Sequence, residues 1–237
     1  MNILHSSKRS LSCIVLPLLA LSAACDATVI GFGQLGGNNA TVSSTLASRA
    51  VADGSGYVVD NGATPNISLG WDSNWDIHTS TWFTDLENFT VGGGDWDNEG
   101  GVPRVGQLDG GLHTISLISD PGFALVINSF DFVHTLESSG TTVWNLSLTD
   151  SLTNVVWSET LNMDNSEFSS SLQTVSPGFT GADGESYTLT FERSSSSYAS
   201  NGRHAIDNFS FNQVAVPEPS SALLICLGAM GLFRRRR

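Results

Sequence analysis

Between Thr28 and Ala215 apolar and polar residues alternate in short runs. In Thr141 to Leu148, the side chains of Trp144, Leu146 and Leu148 fall to one side and those of Asn145 and Ser147 to the other. That period of two belongs to a strand with one buried face. Ser186 to Glu192 repeats it, with Tyr187, Leu189 and Phe191 opposed by Ser186, Thr188 and Thr190. Ala205, Asp207, Phe209 and Phe211 share a face near the end. Further strands are predicted over Thr28 to Phe32, Gly56 to Val59, Leu112 to Ser119, Ala124 to Val133 and Asn154 to Leu161. Clusters of Gly, Asn, Asp and Ser separate these runs, and none sustains a helical period for three turns. Many short strands joined by turn-rich loops predict an all-β, two-sheet β-sandwich of jelly-roll type.

Both ends break this pattern. Lys8 and Arg9 precede an apolar stretch of 11 residues, Leu11 to Leu21, and small residues follow as far as Ala27. This is the layout of a secretory signal peptide, so residues 1–27 are set apart from the fold as a signal helix. Cleavage after Ala24 and cleavage after Ala27 both satisfy the small-residue rule. Cys25 admits a lipoprotein reading with an acylated thiol, but the leucine stands four residues ahead of it rather than three.

At the other end Val216-Pro217-Glu218-Pro219 leads to the apolar run Ala222 to Phe233, 12 residues that stop at Arg234, Arg235, Arg236 and Arg237. As a helix the run spans about 18 Å, against a hydrocarbon core of about 30 Å. A packed amphipathic helix is the usual reading of so short a run, but this one has no polar face. Its arginines would hold the terminus on the cytoplasmic side. A marginal transmembrane-like helix with a charge stop suits a temporary tether.

These three parts, in this order, resemble the PEP-CTERM sorting signal of Gram-negative bacteria. The resemblance covers residues 216–237 and implies recognition by an exosortase, a membrane-embedded cysteine-protease-like enzyme. It also implies export to the cell envelope, outer surface or extracellular matrix, with a transient inner-membrane tether. It says nothing of the chemistry of residues 28–215.

Separating the ends changes the composition. All three cysteines, Cys13, Cys25 and Cys226, lie outside residues 28–215, so that domain of 188 residues holds neither a disulfide nor a thiol nucleophile. Its stability must come from its core, for which it is long enough. The whole chain carries a net charge of −13, yet residues 28–215 hold four arginines, no lysine and 21 carboxylates, a net of −17. Such a surface repels nucleic acid and anionic lipid, and suits saline surroundings, divalent cations or neutral glycans.

Candidate chemistry is concentrated between Trp71 and Gly101, which hold Trp71, Trp75, Trp82 and Trp96. Asp95, Asp97 and Glu99 are spaced by two in a glycine-rich stretch, where oxygen ligands can converge on Ca²⁺. The twelfth position is Gly106 and not glutamate, so this is no EF-hand. A solvated acidic hairpin is the alternative. Trp71, Trp75 and Trp96 stand among Asp, Asn, Ser and Gly and are candidates for stacking on sugar rings; Trp144 and Trp157 lie in alternating strands and are expected in the core. His78, His113, His134 and His204 form no paired ligand motif, and no nucleophile elbow, phosphate loop or His-Glu-x-x-His is present. No catalytic residue is proposed. The segment Asn201 to Phe211 resembles the last strand of exported carbohydrate-binding-like sandwiches, which implies a strand packed near the termini; Asp207 within it is expected to accept hydrogen bonds from backbone or from Arg203.

Three function classes follow: a structural or adhesive protein of an exopolysaccharide matrix, a carbohydrate-binding module, or a glycan-cleaving enzyme with paired carboxylates. Mass spectrometry of the mature N-terminus is expected to show no diacylglyceryl group on Cys25; that added mass would establish a lipoprotein instead.

Overall fold

The computed structural model describes residues 27–32, 40–50, 58–61, 63–79, 104–108, 111–136, 140–165, 170–196 and 202–217. Within them are fourteen strands: β1 (Thr28–Ile30), β2 (Ala40–Thr41), β3 (Val58–Asn61), β4 (Ile67–Trp71), β5 (Trp75–Thr79), β6 (Arg104–Leu108), β7 (Leu112–Ser119), β8 (Phe123–Leu136), β9 (Gly140–Asp150), β10 (Val155–Asn165), β11 (Ser170–Val175), β12 (Phe179–Thr180), β13 (Ser186–Ser196) and β14 (Gly202–Ala215). No helix occurs among the described residues. The expected signal helix and transmembrane-like helix both fall outside them. No described helix is long and apolar enough to cross a membrane.

The strands form two antiparallel sheets. The five-stranded sheet has the order β10-β9-β13-β7-β4, and the nine-stranded sheet runs β11-β8-β14-β6-β5-β2 with β12 on β8, β1 on β14, and β3 on the far side of β1. Strand β14 is central: it pairs with β8 along one edge, and with β6 and β1 along the other. Alternation explains the layering. Residues such as Leu146, Leu148, Leu189, Phe191, Ile115 and Leu117 of one sheet, and Ile127, Phe130, Phe132, Phe209 and Phe211 of the other, form one buried cluster.

Four tryptophans meet in or against that cluster, two where their strands predicted and two where the sequence pointed to the surface. Trp144 is fully buried and Trp157 packs half-buried at its edge, as their strands predicted. Trp71 and Trp75, expected at the surface, are instead core residues with 4% and 0% exposure. Trp71 ends β4 in one sheet and Trp75 begins β5 in the other, so Asp72-Ser73-Asn74 is the turn that carries the chain across the sandwich. The polar neighbours belong to this turn, and the rings point inward from it. Each indole N–H is satisfied there: Trp71 donates to the carbonyl of Leu46 at 3.0 Å and Trp75 to that of Thr114 at 2.9 Å. Their rings meet edge to face, with centroids 5.1 Å apart, and Trp75 continues to Phe191 at 5.5 Å.

Gly106 also finds its explanation here. It lies in β6 under the ring of Phe32, and a Cβ would come within 2.9 Å of that ring. Having no carboxylate, Gly106 cannot supply the bidentate ligand that closes an EF-hand loop. Trp75→Ala is expected to cost about 3–5 kcal/mol of unfolding free energy, measurable by urea denaturation.

Candidate functional site

Two surfaces offer chemistry: the outer face of the five-stranded sheet, and the end of the sandwich from which the C-terminal tail departs.

The polar alternates of the five-stranded sheet line up across strands. One row joins Ser158, Ser147, Thr190 and Thr114, each directly opposite the next. The next row joins Thr149, Thr188, Ser116 and Gly70. Strands lie about 4.8 Å apart and successive outward residues about 6.8 Å apart, so the hydroxyls form a regular grid. Its members are partly exposed at the centre and more exposed on β10. Neither row contains a charged or aromatic side chain, and Glu192 lies at a rim beside Asn145 and Leu112. Within the grid, Ser116 donates to the carbonyl of Gly70 at 3.2 Å, and Asp72 holds Thr114 through its hydroxyl and its N–H. The two rows therefore offer hydroxyl donors and acceptors with no charge of their own, bordered by Asp72 and Glu192, on a domain that is otherwise strongly acidic.

The tail end is built from turns stapled by carboxylates. The hydrogen bond from Val216 N–H to the Gly122 carbonyl, 2.8 Å, fixes the end of β14 to the β7–β8 turn. Asp120 of that turn receives both guanidinium nitrogens of Arg49 at 2.6 Å. Asp183 accepts from Gly122 N–H at 2.6 Å, and Glu185 accepts from Ser151 N–H at 3.3 Å. Asp150 folds the β9–β10 turn around itself, accepting from Leu152 N–H, Asn154 N–H and the Asn154 side chain at 2.8–3.0 Å. Hydrogen bonds to the ionised form hold three carboxyls below the ordinary range: Asp120 through Arg49, Asp150 first through Asn154, and Glu185 first through Ser151.

Around these turns stand Leu152 (77% exposed), Val155 (62%), Ile118 (45%), Val214 (41%) and Val156 (40%). Of the large hydrophobic side chains exposed among the described residues, only Leu112 lies at the opposite end, where β7 begins. Thr28 pairs with Phe211, which sets Ala27 level with Asn212, just before the tail.

The remaining candidates are placed as follows. Trp71 and Trp75 are in the core and offer no ring to a sugar. Trp96 and the proposed calcium ligands Asp95, Asp97 and Glu99 lie outside the described residues. Val216 and Pro217 are described, whereas Glu218, Pro219 and Arg234 to Arg237 are not. His113 and His204 are buried, the first against Trp75 at 5.2 Å and the second against Trp144 at 4.9 Å. Backbone register sets His204 opposite His134. Among the described residues no three His, Cys, Asp or Glu side chains gather as a metal site would require.

Asp150 and Glu185 are near enough at the tail end to repel each other, and a second carboxylate pair is set face to face across strands. Asp207 lies directly opposite Asp131. Asp131 accepts from Thr174 at 2.6 Å and from Asn208 at 3.0 Å. Asp207, 3% exposed, accepts the backbone N–H of Asn208 at 2.8 Å, a backbone bond of the kind expected for it.

Residues 215–237 match the family model of the PEP-CTERM protein-sorting motif. No curated protein matches the chain. Several solved structures show partial similarity. An arabinose-bound α-L-arabinofuranosidase, MgGH51, is 11% identical over 80% of this chain and 27% of its own length, with a TM-score of 0.38. TmCBM61 in complex with β-1,4-galactotriose is 11% identical over 63% of this chain and 88% of its own, with a TM-score of 0.28. The CBM22-1 xylan-binding domain from Paenibacillus barcinonensis Xyn10C is 9% identical over 77% of this chain and 100% of its own, with a TM-score of 0.30. At these scores the similarities transfer no ligand to this chain.

The stapled carboxylates set a pH dependence. Because their folded pKa values are depressed, their contribution is complete above the ordinary carboxylate values and is lost as pH falls through the folded ones. Melting temperature is expected to drop below about pH 4. Asp150→Ala is expected to lower it at neutral pH and to flatten that drop.

Proposed function

We propose that this chain, whose tail is a PEP-CTERM protein-sorting motif, is a structural and adhesive protein of a polysaccharide matrix. The tail marks an exported protein of the cell envelope or surface, processed by an exosortase. The delivered part is a jelly roll on this reading. Its support is the pair of strand orders β6-β14-β8-β11 and β7-β13-β9-β10, wound by a chain that passes repeatedly between the sheets.

The observation that carries the reading is the uncharged hydroxyl grid on the five-stranded sheet. A polyhydroxylated, neutral chain can exchange hydrogen bonds with Ser147, Ser158, Thr188 and Thr190 without meeting the acidic surface elsewhere. Anionic polymers are repelled by the 21 carboxylates of residues 28–215. Without stacking rings each contact is weak, which suits adhesion through many copies in a matrix. The non-catalytic reading is supported by the cross-strand pair Asp131 and Asp207: Asp207 is buried, and both carboxylates are occupied by donors of the fold.

Co-sedimentation with an insoluble neutral glucan and with an anionic polyuronate tests the glycan role. Retention on the neutral polymer alone is expected. Replacing Ser147 by Ala with Thr188→Val and Thr190→Val should weaken it, by about 1 kcal/mol or fivefold for each hydroxyl, at unchanged melting temperature. Equal retention of this triple variant would remove the grid from the contact. Mass mapping of secreted protein is expected to lack Arg237; its presence would overturn tail processing.

A further inference from the structure

The tail emerges from the sandwich with almost no slack. Val216 is still bonded to Gly122, and only residues 217–221 separate it from the apolar run that begins at Ala222. Five fully extended residues reach about 17 Å, less than half the roughly 40 Å width of a domain of this size. While that run is in a membrane, the sandwich cannot drift or tumble freely above it. The end carrying Val216 must face the lipid. That same end presents Leu152, Val155, Val156, Ile118 and Val214, and β1 leaves it toward the N-terminal apolar segment.

We infer that the tail end of the sandwich is a membrane-docking surface, with the aliphatic side chains of Leu152, Val155 and Val156 entering the headgroup layer of the bilayer that holds the tail. The proposal rests on the reading of the tail as a membrane tether. The β9–β10 turn is already organised for it: Asp150 holds the backbone on both sides of Leu152, so ordering the turn costs nothing further on contact. Tethering keeps the docking residues at high effective concentration, so weak partition is enough. The same end carries Asp120, Asp150, Asp183 and Glu185 against Arg49. It is therefore matched to zwitterionic headgroups and mismatched to anionic ones. The hydroxyl grid then stands on the flank of the docked domain, its strands rising away from the lipid.

The full chain, with its tail, is reconstituted in phosphatidylcholine vesicles. An environment-sensitive dye is attached at Leu152→Cys or, as control, at Leu112→Cys, with Cys13, Cys25 and Cys226 replaced by serine. Both positions are exposed, so neither substitution disturbs the core. Docking predicts a blue-shifted emission and severalfold weaker quenching by aqueous iodide at position 152, with position 112 unchanged. Added phosphatidylglycerol at low salt should reverse the effect. In a parallel sample a dye on the native Cys226 reports tail insertion. If Cys226 is shielded while position 152 is quenched as readily as position 112, docking is overturned and the tether stands. If the chain does not float with the vesicles, the tether fails and docking with it. If protection at 152 requires native membrane protein and is absent in pure lipid, the occupant is a protein and the lipid assignment is overturned.

Discussion

The two sheets are held together by aromatic rings meeting edge to face across the sandwich, and everything else is arranged around that seam. Phe209, Trp71, Trp75, Phe191 and Phe130 form one continuous run of such contacts, and Phe132 with Trp144 forms another. An exported domain usually has disulfides available to restrain its unfolded state. This one has no cysteine between Thr28 and Ala215, so buried ring area carries that load. Edge-to-face geometry adds direction to a force that is otherwise non-directional. It also explains why tryptophan occurs next to Asp72 and Asn74: the turn that crosses between sheets must be polar outside and large and apolar inside.

That crossing shows where sequence reading reached its limit. Leu112–Ser119 was legible to the residue, because β7 alternates cleanly and is flanked by turn residues. The strands predicted at Ala124 to Val133 and Ser186 to Glu192 were placed correctly and stopped short; β8 and β13 run on through less regular pattern to Leu136 and Ser196. Strands β4 and β5 are masked in the sequence: Ile67, Leu69, Trp71 and then Trp75 and Ile77 alternate, but Gly70 and the Asp-Ser-Asn turn make the segment look like a loop. Reading the rings as exposed followed from composition, whereas their direction is set by the parity of the strands on either side.

The candidate surfaces divide in the same way. A sorting tail is recognised as a linear string by another protein, so it is visible without a fold. The hydroxyl grid is not linear. Ser186, Thr188 and Thr190, like Asn145 and Ser147, were visible as polar alternates within their own strands. Only register sets Thr190 between Ser147 and Thr114, and no local signal encodes which strands become neighbours. The tail end is likewise assembled from four separate turns, each ordinary by itself.

The pairing of β1 with β14 has a further consequence, in time rather than in space. Thr28 and Phe211 are partners, and β14 is also the strand to which β8 and β6 attach. The nine-stranded sheet therefore cannot close until nearly the whole chain has been made and has passed to the same side of a membrane as its beginning. Pairing across so long a separation is slow compared with local structure. The last strand completes the sheet only when the sorting motif directly behind it, residues 215–237, is about to follow. Closure of the sheet and completion of the sorting motif are then a single late event, so a chain truncated before β14 would have neither a finished fold nor an address.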